Sequence, residues 1–158
     1  MSNRPPRMPR EYYVGEQTVA FTAVTDRRLR IFSKAETIEP LVERLGVAAK
    51  KFDCVIPIYC FMPDHLHVMF TGLRDHSDTL AAMTRFKLLS GLWFERKKLD
   101  GWQGSFHDHV VMGHRDWRSH ARYIANNPIR WGLVSDPFEY SFTGTIGCDL
   151  QDVILGLP

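Results

Sequence analysis

The chain has no long hydrophobic run: its longest strongly apolar stretch, residues 54–61, covers eight of 158 residues, far short of the roughly 20 that a membrane-crossing helix needs. Residues 1–10 hold three arginines and three prolines with no apolar stretch behind them. That does not match a secretory signal, and a cytoplasmic location is the expectation. Cysteine is scarce. Cys54, Cys60 and Cys148 form no CxxC pair and are odd in number, which excludes a disulfide framework and suits a reducing compartment. There is no internal repeat and no low-complexity segment. Lysine and arginine are missing from residues 135–158, where Asp136, Glu139, Asp149 and Asp152 stand alone.

Composition is that of one packed domain, with 44% hydrophobic and 24% charged residues. The net charge of +2 is too small to announce a partner by itself, but its distribution is uneven. Six arginines in the first 30 residues face only three acids. Without the acidic end the remaining chain carries about +6, enough to face a polyanion.

Patterning predicts six elements of one fold, followed by a surplus helix. Residues 1–16 read as a basic arm, mobile over its first ten residues. Residues 18–25 mix β-branched and aromatic side chains and predict a first strand. Between 37 and 51, Ile38, Leu41, Val42, Leu45, Ala48 and Ala49 recur at helical spacing. Residues 54–61 predict a buried strand, despite Pro57, and a turn at 62–64 leads to a third strand over 65–71. A helix over 77–98, with Ser77 as its cap, and a strand over 106–112 complete the order βαββαβ, that of a ferredoxin-like sandwich: an antiparallel sheet with two helices on one face. Residues 116–126 predict an additional helix, ending near Pro128. The domain is expected to span 17–140, leaving 141–158 as an irregular tail.

Chemistry concentrates in two places. Along residues 65–70, strand alternation sets Leu66, Val68 and Phe70 on one face and His65, His67 and Met69 on the other. Two neutral imidazoles side by side can serve one divalent ion, although strand histidines that merely bond their neighbours fit the same spacing. A second pair, His107 and His109, competes for that role, and spacing does not choose between them. His76, His114 and His120 receive no role. The surplus helix carries Tyr123 and Asn127 four residues apart, on one face if the last turn holds. If that helix covers the bare sheet face, a phenol and an amide oxygen come near the histidines. A tyrosine buried as core on a helix that simply ends before Pro128 is the alternative.

Taken together, these patterns resemble the single-tyrosine HUH (His-hydrophobic-His) transposases, in particular the REP-associated tyrosine transposase branch. The likeness rests on Phe21 to Thr25 with Arg27, Arg28, Ile31 and Phe32; on Met62-Pro63-Asp64-His65-Leu66-His67; on Trp102 to His109; and on Tyr123-Ile124 followed by Asn127-Pro128, Arg130, Gly132, Leu133 and Val134. It runs from about Val19 to Tyr140. Asp64 stands where many relatives have asparagine.

The resemblance implies His65, His67 and Asn127 as ligands of Mg²⁺ or Mn²⁺ and Tyr123 as the nucleophile. It leaves His107 and His109 structural or DNA-contacting. It implies nicking and strand transfer on single-stranded, hairpin-forming DNA through a 5′-phosphotyrosine, with no membrane partner and with a monomer or dimer left open. Arg27, Arg28, Arg30, Arg85, Lys87, Arg122 and Arg130, together with Arg4, Arg7 and Arg10, are candidate phosphate contacts. Trp102, Trp117 and Trp131 are candidate stacking platforms, with burial as the alternative for each. A non-cleaving hairpin binder and a water-using phosphoesterase are the competing functions.

Overall fold

A computed structural model describes residues 6–156. Its first strand, β1 (Thr18–Thr25), is followed by α1 (Ala35–Lys51), β2 (Cys54–Met62), β3 (His65–Gly72), α2 (Thr79–Arg96) and β4 (Trp102–Val111). The strands form one antiparallel sheet in the order β4-β1-β3-β2 with a fifth strand, β5 (Thr143–Ile146), added beside β2. The first four reproduce the expected sandwich. The surplus helix is α3 (Gly113–Ala125), followed directly by a short α4 (Asn127–Arg130).

Strand alternation sorts the sheet into two apolar layers. On one side Val19, Phe21, Ala23, Leu66, Val68 and Phe70 meet Leu41 and Leu45 of α1 and Met83 and Phe86 of α2. On the other, Ala20, Ile58, Cys60 and Met69 meet Ala121, Ile124 and Ala125 of α3 and Val153 of α5 (Leu150–Leu155). The second side is the one the sandwich helices leave bare, and α3 covers part of it.

Several boundaries differ from the sequence expectations for local reasons. The cap of α2 is Asp78, whose carboxylate accepts the Ala81 N–H, and not Ser77. Ser77 instead closes the preceding loop: its Oγ accepts the N–H groups of Leu73 and Arg74 and donates to the Asp53 carbonyl. Strand β4 starts four residues early. Its first part is polar, and a shift in register between Ala23 and Thr25 lets Trp102 pair with Thr25. Pro57 is accommodated by a comparable shift between residues 55/56 and 58/59 of β2. Pro128 does not end the helical path. It occupies the first turn of α4, where its missing N–H costs no bond.

Both chain ends are more ordered than expected within the described residues. Tyr13 is fully buried, its hydroxyl donates to Asp108 at 2.6 Å and accepts the Met8 N–H, and Arg7 pairs with the same carboxylate. Residues 6–16 are therefore docked on the sandwich; Arg4 lies outside the described residues. The segment expected to be an irregular tail contributes β5 and α5, because Val153, Ile154 and Leu150 supply an apolar face that α3 and β2 need covered. No helix among the described residues is long and apolar enough to cross a membrane.

Candidate active site

The hairpin turn at Pro63 and Asp64 sets the site. The Pro63 carbonyl accepts the Phe32 N–H, and the Asp64 carbonyl accepts both the Thr25 N–H and the Thr25 hydroxyl. These bonds anchor β3 from its first residue, so His65 and His67 project from the α3 side of the sheet. Their rings are 4.8 Å apart and nearly perpendicular. His65 is buried and His67 half-buried.

Each imidazole is oriented through Nδ1. That of His65 donates to Asp64 Oδ1 at 2.6 Å, because an ionised carboxylate can only accept. That of His67 lies 3.0 Å from Thr22 Oγ1, on the neighbouring strand β1. Both Nε2 atoms thereby face the α3 side without a carboxylate or hydroxyl partner, an arrangement that suits a ligating histidine whose tautomer and ring angle a second group fixes. Burial and then the nearby His65, Arg130 and His120 hold His67 well below the usual imidazole range, at about 3, so its ring is neutral at pH 7.

Helices α3 and α4 supply the other side of the site. Asn127 is buried, and its Nδ2 lies 3.3 Å from His65 Nε2. Its Oδ1 accepts from Arg130 at 3.1 Å. The amide nitrogen therefore faces His65 in this arrangement, and a half-turn of the amide presents the oxygen instead. Tyr123 is 53% exposed, with its ring 6.1 Å from that of His67 in the same chain. Arg130 stacks 4.0 Å above the Tyr123 ring and donates to the Tyr123 carbonyl at 2.8 Å. One guanidinium thus touches both the phenol and the amide. Trp131, largely exposed, stands 5.5 Å from the His65 ring.

Two imidazole nitrogens and an amide on one face fit a divalent ion with open coordination positions. Mn²⁺ accepts such nitrogen-rich sets more readily than Mg²⁺, which prefers oxygen. The structure also distinguishes the two His-x-His pairs. His107 pairs with Thr22 of β1 from the far side, so it shares the histidine face but sits two strands away from His67, with β1 between them. His107, His109 and His120 line a cleft of about 200 Å³ together with Thr22, His67 and Tyr123.

The candidate phosphate contacts divide by layer. Arg28 lies 3.5 Å from Asp64 and so borders His65, whereas Arg27 pairs with Asp100 at 3.0 Å and Arg30 is exposed. Arg122 is exposed on α3, beside Arg115 and Arg118, which the sequence reading left unremarked. Their spacing of three and four is the signal that places all three on one helix face. Arg85 and Lys87 belong to α2 on the opposite side of the sheet. The Lys87 ammonium donates to the Gln103 and Ser105 carbonyls, and burial with Arg7 nearby lowers it to about 8. Trp102 is interior packing: it contacts Phe32, Phe86 and Phe94 and donates its indole N–H to Ser90. Trp117, on α3 itself, packs half-buried against the second apolar layer, and Trp131 alone of the three is open beside the histidines.

Comparison with known proteins agrees with this fold. The REP-associated tyrosine transposase of Escherichia coli K12 is 26% identical to this chain over 145 residues, covering 85% of this chain and 79% of that protein. The structure of a REP-associated tyrosine transposase bound to a REP hairpin superimposes with a TM-score of 0.72 at 22% identity, over 87% of this chain and 82% of that one. A putative transposase from Deinococcus radiodurans superimposes with a TM-score of 0.50 at 19% identity, over 77% and 97% of the two chains. Residues 13–127, which include both histidines of the β3 pair, Tyr123 and Asn127, match the family described as Transposase IS200 like, and the chain belongs to that family of DNA-processing transposases.

Proposed function

We propose that this transposase nicks and rejoins single-stranded DNA beside a hairpin, with Tyr123 as the nucleophile and His65, His67 and Asn127 as the holders of Mn²⁺ or Mg²⁺. The observation that carries this reading is the 6.1 Å approach of the Tyr123 ring to His67 within one chain, beside a pair of imidazoles whose Nδ1 atoms are already engaged.

A bound divalent ion would supply positive charge for a non-bridging phosphate oxygen as charge builds there. Tyr123 is open to solvent, so an incoming strand can reach its hydroxyl. Attack forms the bond between the phenolic oxygen and phosphorus and breaks the bond from phosphorus to the 3′-oxygen, which leaves as a 3′-hydroxyl after taking up a proton. The product is a 5′-phosphotyrosine, and a second 3′-hydroxyl can reverse the step to join strands, because the covalent link retains the phosphodiester. Arg130 holds the tyrosine ring, and the half-turn that presents Asn127 Oδ1 to an ion releases that oxygen from Arg130. Asp64 holds the His65 ring, and Arg28 sits where it can meet both Asp64 and the incoming backbone.

A strand must be unpaired for its phosphorus to reach a helix-borne tyrosine in line. Of the two relatives above described as REP-associated, one was solved with a REP hairpin, which favours a hairpin-bearing single strand as substrate here. Arg27, Arg30 and Arg122 are assigned to phosphate contacts and Trp131 to base stacking.

The test is to incubate the full chain with labelled hairpin-bearing single strands and Mn²⁺, then to look for a protein–DNA adduct that survives denaturation. Adduct formation lost in Tyr123→Phe supports the reading. Tight hairpin retention without adduct across Mn²⁺ and Mg²⁺ titrations identifies a binder instead, and multiple turnover without adduct identifies a water-using phosphoesterase.

A further inference from the structure

Beside the proposed catalytic ligands lies a second set of metal-competent side chains. His109 is on β4, and Asp116 and His120 are on α3, one turn apart. Their ligand atoms all lie within 4.8 Å of one another. His109 Nε2 is 3.3 Å from Asp116 Oδ2, and the rings of His109 and His120 stack at 4.3 Å with 28° between their planes. We propose that His109, Asp116 and His120 form a second cation site, with donors that suit zinc, that ties the tyrosine-bearing helix to the edge strand of the sheet.

The donor chemistry fits zinc. Two imidazoles and one carboxylate, with a fourth position for water, form a common three-residue zinc set. Ligands about 2.0–2.1 Å from a tetrahedral ion stand about 3.4 Å apart, close to the separation of His109 Nε2 and Asp116 Oδ2. A His120 ring nitrogen lies within 4.8 Å of both. Asp116 is already oriented, because it accepts the Met112 N–H at 2.9 Å. Such an outer bond is typical of ligating carboxylates. A carboxylate facing two imidazoles also disfavours an anion as the occupant. The β3 pair differs in charge, because its third donor is a neutral amide where this set has a carboxylate.

The position gives the site a consequence. Asp116, His120 and Tyr123 follow one another at spacings of four and three, on one stripe of α3. His120 and Tyr123 line the same cleft. An ion held across β4 and α3 therefore fixes the two turns that precede Tyr123. This inference concerns metal binding and does not depend on the cleavage reading.

The experiment is a Zn²⁺ titration of the full chain against a chromophoric chelator, in parallel with thermal melts. In His65→Ala, which removes a ligand of the β3 set, Zn²⁺ should still bind, and raise the Tm by about 5–10 °C at a hundredfold excess over Kd. His120→Gln and Asp116→Asn, each made in that background, should weaken the remaining binding at least tenfold and lose the Tm shift. Asp116→Asn keeps an oxygen for the Met112 N–H, so it guards against a variant that merely misfolds; circular dichroism checks both. Zn²⁺ affinity in both variants within twofold of His65→Ala, or no Zn²⁺ binding by His65→Ala itself, overturns the proposal.

Discussion

The amide of Asn127 and the imidazole of His65 are 62 positions apart in the chain and 3.3 Å apart in space. One begins a four-residue helix after α3, and the other begins β3 at a two-residue turn. Their meeting depends on α3 lying across the sheet face that the sandwich helices leave open.

Tyr123→Phe removes one oxygen from a half-exposed side chain. The Tm should stay within about 1–2 °C of wild type, since exposed positions without a specific bond contribute little. Adduct on hairpin-bearing single strands should fall below detection. An undiminished adduct in a denaturing gel would remove Tyr123 from the mechanism.

Asp64 is tested by two substitutions. Asp64→Ala leaves the His65 Nδ1–H without its acceptor and should weaken Mn²⁺ binding about 10–100-fold, the usual effect of losing a group that orients a ligand. Asp64→Asn retains an accepting oxygen and should cost only a few-fold. Calorimetric Mn²⁺ titrations of both, compared with wild type, check the order; equal losses would mean that charge and not orientation matters.

Arg130 acts by shape as well as charge. Lysine keeps the charge but cannot stack over Tyr123 while donating to both the Tyr123 carbonyl and Asn127. Arg130→Lys should therefore slow single-turnover adduct formation by about tenfold, on the order of 1.4 kcal/mol of barrier, with hairpin affinity reduced much less. An affinity loss that accounts for the whole effect would make Arg130 a phosphate contact only.

His67 predicts an acid sensitivity. Its folded pKa, about 3, lies below the ordinary value of 6.5, so between those values the unfolded chain binds the extra proton. The stability that neutral His67 contributes is present above pH 6.5 and is lost as pH falls toward 3, at up to about 1.4 kcal/mol per pH unit. In metal-free melts from pH 7 to 4, His67→Gln should show a shallower decline in Tm than wild type. Parallel curves would contradict the burial of a neutral imidazole.

The C-terminal helix should be structural. Val153 is nearly fully buried against α3 and β2, and Val153→Asp places a charge there, costing several kcal/mol. The expected result is a chain that melts at least 10 °C lower. An unchanged Tm would mean that α5 does not hold the face that backs α3.

Much of this was legible in the residues. Strand alternation along 65–70 placed Leu66, Val68 and Phe70 in one layer and the two histidines in the other. Periodicity of 3.6 located most of α1 and the whole of α2. The polar start of β4 was not legible because it pairs on one edge only and buries little, so its pattern resembles a loop. The fifth strand and α5 were missed for a related reason. They are short segments whose apolar faces matter only against α3 and β2.

By itself the sequence determined which residue types stood on each face: a period of two sets neighbouring side chains on opposite sides of a strand, and spacings of three and four align them on a helix. Sequence spacing left two histidine pairs in competition and gave His120 no role. Only the tertiary structure decided that His65 and His67 meet Asn127 and Tyr123 while His109 meets Asp116 and His120. That choice turns on where α3 crosses the sheet, and the crossing is fixed by the burial of Ala121, Ile124 and Ala125 against strands more than fifty residues away in the chain.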